Sequence, residues 1–273
     1  MNLAWTPLTE PFRLGRLTAA LLDLLLPPVC LTCDSPVDVP GLQCGTCFGQ
    51  RDTIGEPCCT CCGAPFELAW QAIEGGLCQR CTDTPPPFGR ARAAMNYGDG
   101  ARRLVLPFKH GDRTEFAPFL ARMMARAGAA LLRDADILLP VPLHRRRIFV
   151  RRYNQSALLA QELGRLGGRA VMADGLIRLH ATASLGGKSV AERREEVGGA
   201  FAVRPGHAAR LAGRRVLLID DVMTSGATAS ACAECLLQAG AEAVDVLVAV
   251  RVPDPRRRVR RRSRRRVSAL DPE

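Results

Sequence analysis

No apolar run in this chain reaches the length needed to cross a bilayer. The apolar stretch Thr18–Leu26 follows Arg13 and Arg16, but Asp23 interrupts it and no small-residue cleavage site comes after. Export and membrane insertion are both argued against, and residues 1–29 are expected to form a helical segment packed on the protein. Excess charge is also missing once its location is considered. The formal balance is +11 and nine arginines fall between 256 and 266, which leaves the rest at only about +2. The body is therefore no nucleic-acid binder by composition. Residues 253–273 are expected to be an Arg-rich disordered tail able to touch phosphate backbones without reading sequence.

Cysteine is scarce outside one module, because ten of the twelve lie between Cys30 and Cys81. Without an export signal the compartment reads as reducing and cytoplasmic, so clustered thiols point to metal rather than to disulfides. Four CxxC pairs occur: Cys30/Cys33, Cys44/Cys47, Cys59/Cys62 and Cys78/Cys81. A CxxC turn puts two thiolates on one side of a tight knuckle, and two knuckles complete a tetrahedral zinc site. Fifteen residues separate Cys62 from Cys78, the usual ribbon spacing; ten separate Cys33 from Cys44, which is shorter. Residues 30–84 are thus expected to be a double zinc ribbon holding two structural zinc ions. Cys58 and Cys61 create an alternative frame; Cys59/Cys62 is preferred because Gly63 supplies a flexible residue after the second ligand. With every position filled by sulfur, no open coordination site remains for catalysis. Cys232 and Cys235 read as small buried side chains.

A chain of 273 residues with 47% hydrophobic content has room for one large domain beside a small one. Pro85-Pro86-Pro87 marks a hinge, and 88–252 alternates strand and helix patterns. Ala91–Tyr97 reads as a strand, and 101–110 as a short helix or strand ending near Lys109. One longer helix follows, with Phe116, Phe119, Leu120, Met123, Met124, Ala127 and Leu131 on a single apolar face. Asp136–Pro142 gives the next strand. Arg145, Arg146, Arg147, Arg151 and Arg152 then precede a helix beginning near Asn154. Residues 169–179 and 200–203 read as further strands around a polar, glycine-bracketed flap at 180–199. A helix ending at Gly240 and a strand at Ala243–Val250 complete the pattern. Such alternation implies an α/β fold with a parallel, doubly wound sheet.

Residues 214–230, RRVLLIDDVMTSGATAS, form the centre of this organisation. The short apolar run Val216–Ile219 suits a strand buried on both faces, and ligands on such sheets sit beyond the carboxyl ends of the strands. Asp220 and Asp221 follow, at a reach suited to sugar hydroxyls or a Mg²⁺-bound ligand. Then Thr224, Ser225, Gly226, Ala227 and Thr228 open a helix whose exposed amides and dipole favour a phosphate. Strand, acid pair, hydroxyl loop and helix start together describe a seat for a phosphorylated ribose.

This stretch resembles the 5-phosphoribosyl 1-pyrophosphate (PRPP) signature of the type I phosphoribosyltransferases, an apolar run followed by DD-x-x-[TS]-[TS]-G-x-T. The whole order of parts, from Leu21 to Arg251, resembles the ComF/GntX family. The family's aromatic–lysine step matches Phe108-Lys109, and its R-G-[FY]-N-Q matches Arg151-Arg152-Tyr153-Asn154-Gln155, with Arg152 where glycine is usual. The flap pattern T-x-x-Q…R-x-x-N falls on Thr182, Leu185, Arg193 and Glu196, so the usual glutamine and asparagine are replaced. The resemblance implies a role in handling incoming DNA during natural transformation, beside a helicase-like partner.

Two functions are compatible with these residues. In the first, a phosphoribosyl group passes from PRPP, bound with Mg²⁺, to an acceptor. Asp220 and Asp221 would hold the ribose hydroxyls, Thr224–Thr228 the 5-phosphate, and Lys109, Arg145 and Arg151 the pyrophosphate. In the second, the same fold binds a phosphoribosyl ligand or nucleotide without turnover, while the zinc ribbons or the tail engage single-stranded DNA or a protein.

Overall fold

The computed structural model describes residues 27–144, 152–180 and 199–253. The expected N-terminal helix, Arg145–Arg147, Arg151, flap residues 181–198 with Thr182 and Arg193, and the Arg-rich tail lie outside the described residues. Two compact units divide the chain, Met1–Gly49 and Gln50–Glu273. The boundary falls between the two ribbons, not at the proline run, because backbone and side-chain hydrogen bonds tie the second ribbon to the sheet within the larger unit.

The ribbons repeat one backbone pattern. In the first, Cys30 N–H donates to Ser35 O at 2.7 Å and Asp34 N–H to Cys30 O at 3.2 Å. In the second, Cys59 N–H donates to Ala64 O at 2.8 Å and Gly63 N–H to Cys59 O at 2.9 Å. The residue after each second knuckle cysteine is left-handed: Asp34 has φ 57° and Gly63 φ 66°, the region tolerated by Asp and free for Gly. A short helix, α1 (Gly45–Gly49), carries Cys47 of the second knuckle in the first ribbon, and α2 (Gln79–Asp83) carries Cys81 in the second.

The remainder of the larger unit is an open parallel sheet. Its strands are β1 (Ala91–Asn96), β2 (Ile137–Pro140), β3 (Ala170–Val171), β6 (Arg215–Met223) and β7 (Ala243–Arg251). They lie in the order β1-β7-β6-β2-β3, every pair parallel. Among the described residues six helices accompany them: α3 (Asp99–His110), α4 (Phe116–Ala127), α5 (Ala129–Asp134), α6 (Gln155–Gly167), α7 (Ala208–Leu211) and α8 (Ala227–Gln238). Strand alternation assigns the two faces. Ile137, Leu139, Val216, Leu218, Val246 and Val248 pack in one cluster with Cys232, Ala233 and Leu236 of α8. The intervening Leu138, Leu217 and Leu247 are fully buried, and Leu138 and Leu247 lie beside Gly164 in α6 and Gly128 after α4. Both faces are covered, as the unbroken apolar strand runs require.

Several expectations are corrected. The helix expected through Leu131 breaks at Gly128, where a Cβ would lie 2.5 Å from Leu247 Cδ1, so chain and sheet meet closely there and a second helix begins. The segment 101–110 is helical. Residues 169–179 divide between β3 and β4 (Leu176–Arg178), and β4 pairs antiparallel with β5 (Phe201–Val203) in a separate two-stranded sheet. The central strand runs on to Met223, so Asp220 and Asp221 stand inside it, their backbone facing β7 through the pairs Asp220↔Val248 and Val222↔Val250. Among the described residues no helix is long and apolar enough to cross a membrane.

Gly63 joins ribbon to sheet: Ala91 N–H donates to Cys61 O at 2.6 Å, and a Cβ on Gly63 would sit 2.4 Å from Ala91 O. Gly63→Ala is therefore expected to lower unfolding free energy by more than about 2 kcal/mol, measured by urea denaturation. An unchanged midpoint would show that this close approach is not needed.

Candidate functional site

The five strands of the larger sheet are parallel, so their carboxyl ends share one edge, and the functional side chains gather there. Asp221 is 8% exposed and its Oδ2 lies 3.1 Å from Lys109 Nζ. Asp220 accepts a hydrogen bond from Ser156 Oγ at 2.9 Å through Oδ1, the same oxygen that accepts the Asp221 N–H at 2.9 Å. The two acids thus have different partners, a cation for one and a hydroxyl for the other. Burial, reinforced by the Asp221 charge, pushes the Asp220 carboxyl up to about 7 against the pull of Lys109 and Ser156.

The segment after β2 holds these partners in place. Asn154 caps α6 by accepting the Ser156 N–H at 3.0 Å, and its amide donates to Val141 O at 3.1 Å. Tyr153 OH donates to Phe108 O at 2.6 Å, and the buried Gln155 amide donates to Lys109 O at 3.3 Å. Tyr153-Asn154-Gln155-Ser156 therefore grips the last turn of α3, which carries Lys109, and delivers Ser156 to Asp220. Arg152, where the family pattern has glycine, has φ 63°, so the motif keeps the conformation that makes glycine usual. Ser156 was not singled out from sequence; its signal was its place at the first turn of a capped helix.

The loop after β6 lines a small depression with Asp220, Val222, Thr224, Ser225, Gly226 and Thr228. Gly226 has φ 80°, and the nearest atom to a Cβ there, Met223 Sδ, would be 3.8 Å away. Glycine is needed there for backbone handedness and not for close approach. Helix α8 starts directly at Ala227, so its first-turn amides have no intrahelical acceptors. Ala227 N–H makes a long contact of 3.4 Å to Ser225 Oγ. The arrangement can accept an anion at the loop and a sugar near Asp220. Of the other expected cations, Arg145 and Arg151 lie outside the described residues.

The cysteines gather as Cys30, Cys33, Cys44 and Cys47, and as Cys59, Cys62, Cys78 and Cys81, with all sulfurs of each set within 4.8 Å of one another. Cys33 and Cys44 sulfurs are 3.6 Å apart, and Cys62 and Cys78 sulfurs 3.7 Å. A tetrahedral Zn–S site requires sulfurs roughly 3.8 Å apart, so both sets fit zinc. Cys59 Sγ accepts N–H groups from Cys62 at 3.4 Å and Cys78 at 3.3 Å. The thiols of Cys62, Cys78 and Cys81 hold Cys59 far below the ordinary thiol range, and the same neighbours push Cys78 and Cys81 above it. Cys58 and Cys61 are not in either set.

The double zinc ribbon domain family matches residues 21–85. The DNA utilization protein YhgH of Salmonella typhimurium is 33% identical over 174 residues, covering 62% of this chain and 75% of that protein. Competence protein F of Haemophilus influenzae is 28% identical over 212 residues, covering 74% and 88%. An adenine phosphoribosyltransferase of Nocardia farcinica is 45% identical over 53 residues, covering 19% and 28%.

The raised carboxyl of Asp220 gives the site a pH signature. Its folded value exceeds its unfolded one, so its contribution to stability is full at acid pH and is lost as pH rises toward about 7. Asp220→Asn should therefore stabilise the protein at pH 8 and lose that advantage near pH 4, as read from urea midpoints across pH. A gain that did not vary with pH would exclude an elevated Asp220.

Proposed function

The chain belongs to the ComF/GntX family, and from that premise we propose that the carboxyl edge of its sheet binds PRPP with Mg²⁺ and transfers the phosphoribosyl group. The observation that carries this reading is the placement, on one strand end, of Asp220 with Ser156 and Asp221 with Lys109, directly before a left-handed Gly226 and an open helix start. The 5-phosphate would rest on the amides and hydroxyls of Thr224–Thr228, where dipole and donors converge. Asp220 would accept from the ribose hydroxyls. Asp221 would keep Lys109 at the strand end, leaving two of its three ammonium protons to face the pyrophosphate.

The donor set suits Mg²⁺ held mostly by substrate oxygens: Asp220 offers one carboxylate near the ligand, whereas Asp221 is already paired. When bound, the ion would neutralise charge on the departing pyrophosphate. The chain's own residues would orient the ribose and exclude water while the bond from C1 to the pyrophosphate oxygen breaks and the bond to the acceptor forms. By the family resemblance, Arg145 and Arg151 would serve the pyrophosphate, and Thr182 and Arg193 would belong to the flap. The names of the relatives support an accessory role in DNA utilisation and natural transformation, which makes nucleic-acid termini the first acceptors to test.

PRPP titrated with Mg²⁺ into the full chain should give saturable heat, and the affinity should fall as pH drops below about 7 and Asp220 takes up its proton. The double variant Asp220→Asn, Asp221→Asn should weaken binding at least about tenfold and abolish pyrophosphate release. Saturable binding without pyrophosphate release from any base, amine or nucleic-acid end would retain the ligand and discard the transfer.

A second reading, a non-catalytic adaptor, is favoured by the four-sulfur geometry of the ribbons, which leaves them free for structural or docking work. In that case single-stranded DNA would bind at the ribbons or at the tail. Removing residues 255–273 should then reduce the salt dependence of DNA binding if the nine arginines carry it. Binding unaltered by the deletion would assign DNA to the ribbons or the body.

A further inference from the structure

We propose that Arg80, inside the second zinc knuckle, is a positioning residue for the phosphate-binding loop, so that zinc at the second ribbon conditions ligand affinity. The proposal rests on reading Thr224–Thr228 as a phosphate seat. Arg80 lies between the ligands Cys78 and Cys81, at the start of α2, and its guanidinium donates to the carbonyl oxygen of Ser225. A side chain from a structural metal site thereby touches the backbone of the loop itself.

The peptide it touches matters. In a planar trans peptide the C=O and N–H point in opposite directions, so a cation on Ser225 O stands behind the N–H of Gly226. Guanidinium bonding at that oxygen polarises the peptide and strengthens the same unit as a donor. It also fixes the plane from which Gly226 turns to φ 80° and from which α8 begins. An ion at the mouth of the loop would compete with a ligand; one behind it makes the loop a better donor.

A second link joins the ribbon to the strand that leads into the loop. Arg251, 7% exposed at the end of β7, donates to Cys62 O at 2.6 Å and approaches Cys62 Sγ at 3.5 Å. Arg251 is paired in register with Met223, the residue before the loop, and Val252 N–H donates to Met223 O at 2.8 Å. The ribbon thus holds one end of the loop through the β7 strand and its middle through Arg80. Zinc binding fixes the Cys78–Cys81 turn, and with it the base from which Arg80 reaches.

Arg80 is exposed, so its bond should add little to global stability; its effect belongs in the loop. The test uses the full zinc-loaded chain with Arg80→Ala and Arg80→Lys. In Arg80→Ala, amide exchange at 224–230 should accelerate about tenfold and the dissociation constant for PRPP with Mg²⁺ should rise about tenfold. Zinc content, the unfolding midpoint and exchange at 216–219 should stay as in wild type. Arg80→Lys should recover part of both losses. Chelating zinc from the wild type should speed loop exchange to the Arg80→Ala level. Wild-type exchange at 224–230 in Arg80→Ala, or loop protection that survives chelation, would overturn the proposal. If wild type does not bind PRPP, the ligand reading fails, and the exchange comparison alone still decides the coupling.

Discussion

Two carboxylates stand side by side at the end of a buried strand, and the surroundings of that pair organise the rest of the site. Neighbouring anions in a poorly solvated place repel, so each needs a separate answer. Asp221 has Lys109 at 3.1 Å and Asp220 has the Ser156 hydroxyl at 2.9 Å. Those partners come from different helices, and both are held by Tyr153-Asn154-Gln155. Tyr153-Asn154-Gln155 is therefore a clamp on the acid pair. This explains why a tyrosine hydroxyl and a glutamine amide are directed at backbone carbonyls of α3 and not at open solvent.

The zinc ribbons differ in what they do although they repeat one pattern. Each builds a four-sulfur site behind a left-handed residue, Asp34 or Gly63. The second is also part of the larger compact unit, joined through Gly63 to Ala91, Arg251 to Cys62 and Arg80 to Ser225. All-sulfur coordination gives zinc no chemistry with substrate, but a rigid knuckle is a good foundation for a side chain that must keep its aim. In this fold the second four-sulfur set is tied by these contacts to the strand and the loop that carry the acid pair.

Much of this was legible in the residue order. The CxxC spacing, the alternation of apolar runs with helical patterns and the DD–hydroxyl–glycine stretch each carry a local physical requirement: thiolate pairs, buried strands, exposed amides. What escaped is instructive. Strand β6 continues through Asp220 and Asp221 because ladder bonds to β7 hold them extended, a tertiary preference that outweighs the low strand propensity of Asp. The helix ends at Gly128 because Leu247 comes close, a contact between residues more than a hundred apart. Arg80 sits between two cysteines, and no neighbouring residue signals its bond to Ser225, 145 positions away.

The amino-acid sequence by itself determined the parallel α/β class, the two four-cysteine sets and the strand–loop–helix order of residues 214–230, since each depends on residues near one another along the chain. Only the tertiary structure decided which partner each acid takes, why Gly226 must be glycine, and that the second knuckle reaches the loop. Those outcomes depend on distances between segments far apart in sequence, and no local pattern encodes such distances.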